Sequence, residues 1–340
     1  MQQTFSLDSL AFHELIIAPA FADLIPDGSE FQGLLNEFTI MDNVVSKRPI
    51  IDIRRVQNIL QRRDASCDIN YKKVAGASIR QISTDEVYGA TAFCRNEFYQ
   101  GDLKDFRNQD PAFEGNILPF FQGAMRTDIA SNAYFGDIER VPPVNAQWST
   151  NVFDGIFKWI KKYISAGAIP ADQTLQIPDG TDYSADPEEA YNLIKSMFDR
   201  QPVRMDSFQD SQKAFYVSKE IARGYGNYLK LFGKEAEGYT LLSNGIKTLS
   251  YDGIPVLVES IWSPIIQELK GSKGYAAVLT LRGNFVFGTD KKYGEGEDGT
   301  TALEVWYEKK EMQWYYRLFL KVGTQIALPE YIVVALSSWA

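Results

Sequence analysis

Between Gln313 and Val322 the chain reads "QWYYRLFLKV", and its side chains alternate along the whole run. Trp314, Tyr316, Leu318, Leu320 and Val322 fall on one side, with Gln313, Tyr315, Arg317, Phe319 and Lys321 on the other. A period of two belongs to a strand with one face on a core and one toward water. Shorter runs of strand character surround it: "KTLSYDGIPVLVES", "YAAVLTL", "NFVFGT", "ALEVWYE" and "YIVVAL". The last third of the chain is therefore predicted to be largely β.

The middle of the chain has a helical period instead. In "DPEEAYNLIKSMFDR", Asp186 is placed to cap, Pro187 takes the first helical position, and Glu188 and Glu189 meet the positive end of the helix dipole. Ala190, Leu193, Ile194, Met197 and Phe198 then share one face. Leu118, Phe121, Met125, Ile129 and Ala133 form another stripe, which predicts a helix from about 117 to 135. Asn116 would cap it, Pro119 would sit in its first turn, and Gly136 would stop it. A further helix is predicted to begin near Asn151 and end before Gly167, and another follows "AFYVS", capped by Ser218. The class is α+β, with no internal repeat and no low-complexity tract. A chain of 340 residues, 45% apolar, can bury a real core in one large domain or two modest ones.

The N-terminal part is different again. Residues 1–46 lack a sustained period and contain Pro19, Pro26 and Gly28, which predicts an extended arm with short helical pieces. From Arg48 to about Phe98 the chain reads as β, through "PIIDIRRV", "GASIRQIS" and, after a turn at Thr84–Glu86, "GATAFC". So few apolar residues in so long a β excursion require it to lean on something else. Charge divides at the same place. Residues 1–46 hold seven acids and no Lys or Arg, whereas residues 47–80 hold nine bases against three acids. An acidic arm beside a basic segment suits pairing within one chain or between neighbours, and equally suits two solvated surfaces that never meet.

Features that would announce chemistry are sparse. "YGEGEDG" holds Gly294, Gly296 and Gly299 in a GxGxxG spacing, but Glu295, Glu297 and Asp298 would repel a phosphate. A β pattern follows where the fingerprint needs a helix. The spacing of its carboxylates also departs from a calcium loop, so an exposed acidic loop between strands is expected. His13 is the only histidine, in a chain whose net charge is −9, which argues against a free-standing nucleic-acid binder. There is no GxSxG, P-loop, HExxH or CxxC. Cys67 and Cys94 could meet across a hairpin but are expected to be idle thiols. Asp85–Glu86 and Glu188–Glu189 have turn and cap explanations, and no acid/base pair stands out. "MQQTFSLDSLAFHELIIAPAF" lacks a basic leader, and no run approaches 18 apolar residues. No catalytic, cofactor-binding or metal-binding residue is assigned, and no cofactor is expected.

Taken in order, the acidic arm, the basic β excursion, the helix ending in "NAYFGD", "FDGIFKWI", "DPEEAYNLI", "DSQKAFYVSKEIARGY", "DGIPVLVES", "RGNFVFGTD" and "YYRLFLKVGTQIALPEYIVV" resemble the major capsid proteins of tailed bacteriophages. The closing run is the most specific part, because that family has a strand leading to a "GxQ(I/V)AxPE" turn and a last apolar strand, as Val322 to Val333 do here. The likeness spans about residues 40–335. It implies an N-terminal arm at 1–46, an extended β loop at 47–98, a peripheral domain at 99–150 and 300–340, and an axial domain at 151–299. It also implies a structural subunit of an icosahedral shell, built of hexamers and pentamers, that encloses double-stranded DNA, and the acidic total fits DNA that is contained and not gripped. Such a protein would be assembled in the host cytoplasm and located in the virion capsid, with portal, scaffold and decoration proteins as further partners and no membrane.

Some family members join a loop lysine to a neighbour's asparagine; Lys72 and Lys73 lie in the corresponding loop, but no asparagine or activating carboxylate aligns. With the arm beginning at Met1, a separate scaffold, or none, is expected. The charge blocks nominate Arg54, Arg55, Arg62, Arg63, Lys72 and Lys73 as inter-subunit contacts toward Asp23, Asp27, Glu30 and Glu37. The alternatives are an encapsulin-like bacterial nanocompartment shell and a cytosolic binding module or enzyme.

Overall fold

The computed structural model describes residues 38–55, 75–94, 112–142, 146–233, 238–241, 247–290, 304–308, 310–311 and 313–338. Outside them lie Asp23, Asp27, Glu30, Glu37, Arg62, Arg63, Lys72, Lys73, His13, Cys67 and the loop Tyr293–Gly299. In chain order the elements begin with β1 (Phe38–Met41), β2 (Lys47–Arg55), β3 (Ala75–Ser83), β4 (Asp85–Cys94) and the long helix α1 (Ala112–Phe135). Then come α2 (Ile156–Ser165), β5 (Thr174–Gln176), α3 (Pro187–Asp199), β6 (Lys213–Ser218), α4 (Lys219–Leu231), β7 (Tyr239–Leu241), β8 (Lys247–Tyr251) and β9 (Ile254–Glu259). The chain finishes with α5 (Trp262–Lys270), β10 (Ala276–Leu281), β11 (Phe285–Thr289), β12 (Glu304–Glu308), β13 (Gln313–Ile326) and β14 (Val333–Leu336).

The alternating run becomes the spine of the first sheet. β4 runs antiparallel along one edge of β13, from Val322 opposite Asp85 to Gln313 opposite Cys94. Along its other edge, β12 pairs with residues 313–317 and β11 with residues 322–326. Tyr316, Leu320 and Val322 are buried, while Phe319 on the opposite face is 36% exposed. β1 extends this sheet by pairing parallel with β11, Phe38 opposite Phe285 and Met41 opposite Gly288.

The second sheet has the order β5-β14-β10-β6-β9-β8-β7. Its central strands β6 and β10 are buried along their whole length, because both faces are covered, so each carries an unbroken apolar run, Ala214–Val217 and Ala276–Leu279, instead of alternating. Ala276 and Val278 of β10 join one core with Tyr134, Phe135, Phe157, Ile160, Trp262 and Ile266. Ala277 and Leu279 turn the other way, into a core with Ala190, Ile194, Met197, Ile221 and Tyr225. Thus α1, α2 and α5 cover one face, and α3 and α4 the other. Trp262 anchors the first core edge-on to Tyr134 and Phe157, at 5.3 and 4.9 Å between ring centres.

Several local expectations hold. Asp186 caps α3, its carboxylate accepting from the Glu189 amide at 3.4 Å, with Pro187 at the first position. Gly167, just beyond α2, has φ +71, the left-handed conformation that ends helices.

Others change. α1 starts at Ala112, earlier than the periodicity indicated, and Pro119 lies in its interior, where it removes one backbone donor without ending the helix. α2 starts at Ile156, not near Asn151, because the preceding segment is held in another shape by Asn132. That buried amide donates to Ser149 O at 2.9 Å and accepts from Val152 N at 2.9 Å. Ser218 precedes α4 but does not cap it; its hydroxyl donates to Ala276 O and accepts from Ala276 N. A helix, α5, lies inside the stretch predicted to be largely β, with Trp262, Ile265 and Ile266 buried at helical spacing and Gly271 (φ +73) at its end. Finally, Thr84–Glu86 is not a hairpin turn. β3 pairs with β2 and β4 with β13, so the chain changes sheets at Thr84.

Candidate assembly element: a projecting hairpin and its root

β2 and β3 form an antiparallel ribbon of nine residue pairs, from Lys47 opposite Ser83 to Arg55 opposite Ala75. Among the described residues these two strands form a sheet of their own. Ile51 and Ile79 are cross-strand partners and are 59% and 62% exposed. Arg54 and Arg55 stand opposite Gly76 and Ala75, at the end of the ribbon remote from its root. They are the two nominated contact residues whose backbone the structure describes, and both lie on β2.

The root is built against the end of β13. Gly323 and Gly288 are register partners on β13 and β11. A Cβ on Gly323 would lie 2.0 Å from Ser83 O, and one on Gly288 would lie 2.8 Å from Ile82 Cδ1. Two bare positions side by side thus form a notch through which the chain passes from β3 to β4. Ile82 is fully buried there, in a small core with Val44 and Val286, against which Met41, Ile50 and Ala327 pack. The backbone is tied by Thr84 N to Ser46 O at 3.0 Å and Val44 N to Thr289 O at 2.8 Å. Thr84 Oγ1 adds a bond to Val44 O at 2.9 Å.

The run "GTQIALPE" supplies the body's half of this joint. Thr324 Oγ1 donates to Asp154 O at 2.6 Å, and Gln325 Nε2 donates to Gln81 O at 3.0 Å. Gln325 Oε1 accepts from Tyr163 OH at 2.8 Å. Asn284 holds the following turn, donating to Leu328 O at 2.9 Å and accepting from Leu328 N at 2.7 Å. Arg80 reaches across from β3 to Ala327 O at 2.5 Å and to Glu330 Oε2 at 3.5 Å. The charge pattern counted Arg80 in the basic block without nominating it, and nominated none of Thr84, Asn284, Gly288, Gly323, Gln325 or Glu330. The closing turn motif and the turn read at Thr84–Glu86 were the sequence signals that pointed at this region.

The outward face of the first sheet is a second exposed surface. Tyr88 is 70% exposed and lies 6.1 Å from the Phe319 ring. Arg317 stands over both Phe319 and Trp306, 5.1 and 5.3 Å from their ring centres, and Trp306 stacks on Tyr315 at 5.2 Å.

Titratable groups with displaced values have structural neighbours that explain them. Burial works to raise Asp137, but hydrogen bonds from Lys158 and from the Glu139 amide outweigh it and hold the carboxyl below its ordinary value. Lys158 lies 2.7 Å from Asp137 and 2.8 Å from Asp154, and these carboxylates raise it against the effect of burial. Asp85, an exposed residue where the chain enters β4, is pushed up by the partial burial of its carboxyl and then by the charge of Asp154. Burial pushes the Tyr183 and Tyr225 hydroxyls up within the second core. Among the described residues no group of three or more His, Cys, Asp or Glu side chains could hold a metal ion, and no helix is long and apolar enough to cross a membrane.

The sequence matches no family model and no curated protein. Solved structures do match. A chain of the satellite phage P4 procapsid, in a structure that includes the size determination (Sid) protein, superposes with a TM-score of 0.56 at 10% identity, covering 94% of this chain and 99% of that one. This is the fold of a phage capsid chain. A chain of the mature capsid of bacteriophage PhiM1 gives 0.50 at 11% identity, over 90% of this chain and 86% of that one. One from Mycobacterium phage Bobi gives 0.52 at 10% identity, over 93% of each. The superposition therefore takes in at least nine-tenths of this chain.

Proposed function

We propose that this protein is a structural subunit that self-assembles into the icosahedral shell of a tailed bacteriophage, through hexamers and pentamers, around double-stranded DNA. The observation that carries the reading is the capsid fold over at least nine-tenths of the chain. The projecting ribbon supports it. A two-stranded element that exposes a cross-strand isoleucine pair is poorly stabilised by its own contacts and gains stability by docking on a neighbour.

In this reading the arm is 1–46, the extended loop 47–98, the peripheral domain 99–150 with 300–340, and the axial domain 151–299. The sheets cut across those bounds, since β11 belongs with β13 and β14 with β10. The acidic arm of one copy would meet the basic loop of another, with Asp23, Asp27, Glu30 and Glu37 facing Arg54, Arg55, Arg62, Arg63, Lys72 and Lys73. A net charge of −9 suits a wall that contains DNA without binding it tightly. The role is structural, without turnover, in a virion assembled in the host cytoplasm; scaffold, portal and decoration proteins would be its other partners.

Sedimentation of the purified chain tests the reading. Large closed species support it, and monomers or small oligomers across protein concentration and salt contradict it. Particles isolated from infected cells should contain DNA; an enzyme cargo in its place would favour the nanocompartment alternative.

A further inference from the structure

We infer that Arg80 and Gln325 form a clamp that sets the angle at which the β2–β3 ribbon leaves the body. The pivot is the sheet change at Thr84, where Ile82, Thr84 and the Gly288–Gly323 notch fix where the ribbon starts. Contacts at a pivot fix position and leave rotation open. Arg80 is four residues out along β3, about 13 Å at the usual rise of a strand, so a contact there resists rotation directly.

Its guanidinium donates to Ala327 O at 2.5 Å and to Glu330 Oε2 at 3.5 Å, with the two side chains 19% and 25% exposed. Gln325, 3% exposed, braces the adjacent residue by donating to Gln81 O, and is itself oriented by Tyr163. Ala327 and Glu330 lie in the segment between β13 and β14, the strands that belong to different sheets. The clamp therefore couples the direction of the ribbon to the connection between the two sheets. The planar fork of arginine matters here, because it reaches a carbonyl and a carboxylate at once, and lysine offers one point charge.

The direct test is a distance measurement on the full chain. Spin labels are placed at exposed positions on the ribbon and the body, through Ile51→Cys and Val141→Cys with Cys67→Ser and Cys94→Ser, and the labelled chain is diluted into unlabelled chain. The clamp predicts one narrow distance distribution that broadens in Arg80→Met and Gln325→Leu and narrows again in Arg80→Lys only in part. Glu330→Gln broadens it less than Arg80→Met. Circular dichroism confirms that each variant is folded, and if either of the first two is not, Glu330→Gln and Arg80→Lys read the same distance. An unchanged distribution in the folded variants overturns the proposal. The consequence for assembly, misdirected ribbons and irregular or open particles, rests on the shell reading. That reading fails visibly if the unmodified chain forms no particles, whereas the distances judge the clamp whether or not particles form.

Discussion

Ser83 crosses Gly323 so closely that a single added methyl on the glycine would lie 2.0 Å from the Ser83 carbonyl oxygen. The obstructing atom is backbone, so a side chain at 323 cannot be accommodated by a rotamer change. Gly323→Ala is expected to cost about 1–3 kcal/mol, the usual range for overpacking, and to loosen the ribbon at its root. Gly288→Ala should cost less, since it meets the tip of Ile82, which can move. Gly123→Ala in α1, where nothing lies within 4 Å, should instead stabilise by about 0.5–1 kcal/mol. Urea unfolding of the three variants checks the ranking, and equal effects at 288 and 323 would contradict it.

Asp85 gives a pH-dependent prediction. Its folded pKa is raised above the ordinary 3.8 by burial and by Asp154. A raised carboxyl opposes folding above its unfolded pKa, where the unfolded chain releases the proton more easily, and ceases to do so below it. Asp85→Asn should therefore raise the melting temperature at neutral pH, with the gain shrinking as the pH falls toward 3.8. Melting curves across that range check it; a gain that grows toward acid would contradict it.

How much of this was readable beforehand depended on the range of the interactions involved. The cap and first turn of α3 were legible because Asp186, Pro187 and the two glutamates act on their own helix. The strand at 313–322 was legible because one covered face imposes a strict period of two. By contrast, Ser218 looks like a cap in sequence, yet its hydroxyl is taken by Ala276 in the neighbouring strand, 58 residues away. α5 was missed because a short apolar run containing Pro264 does not declare its period, even though Trp262, Ile265 and Ile266 have helical spacing.

The site followed the same rule. Charge counting nominated Arg54 and Arg55 on the ribbon and included Arg80 in the same basic block without nominating it, because its partners lie about 250 residues downstream. The "GTQIALPE" run pointed to the capsid fold but not to its own contacts, because Gln325 and Thr324 bond to residues far away in the sequence.

The exposed pair Ile51 and Ile79 separates folding from assembly. Neither side chain contributes to a core, so Ile51→Ser with Ile79→Ser should change subunit stability by no more than about 0.5 kcal/mol per site. Assembly should weaken markedly, because docking such a pair removes apolar surface from water. Light scattering during assembly, beside unfolding of the isolated subunit, reads both; unaltered assembly would show that this surface stays in water.

Reversing Arg62, Arg63, Lys72 and Lys73 to Glu should leave the subunit folded and block assembly, since the acidic arm would then meet a like charge. Exposed pairs of this kind are screened over about 8–10 Å at physiological ionic strength, so high salt should weaken assembly of the unmodified chain. Normal particles from the reversed variant in moderate salt would refute the pairing.

Electron microscopy of the purified full-length chain bears most directly on the central claim. The account predicts closed, symmetric particles in which the β2–β3 ribbon of each copy lies on a neighbour. A preparation that stays monomeric or forms small oligomers under every assembly condition, or particles whose ribbons touch no other copy, would contradict it.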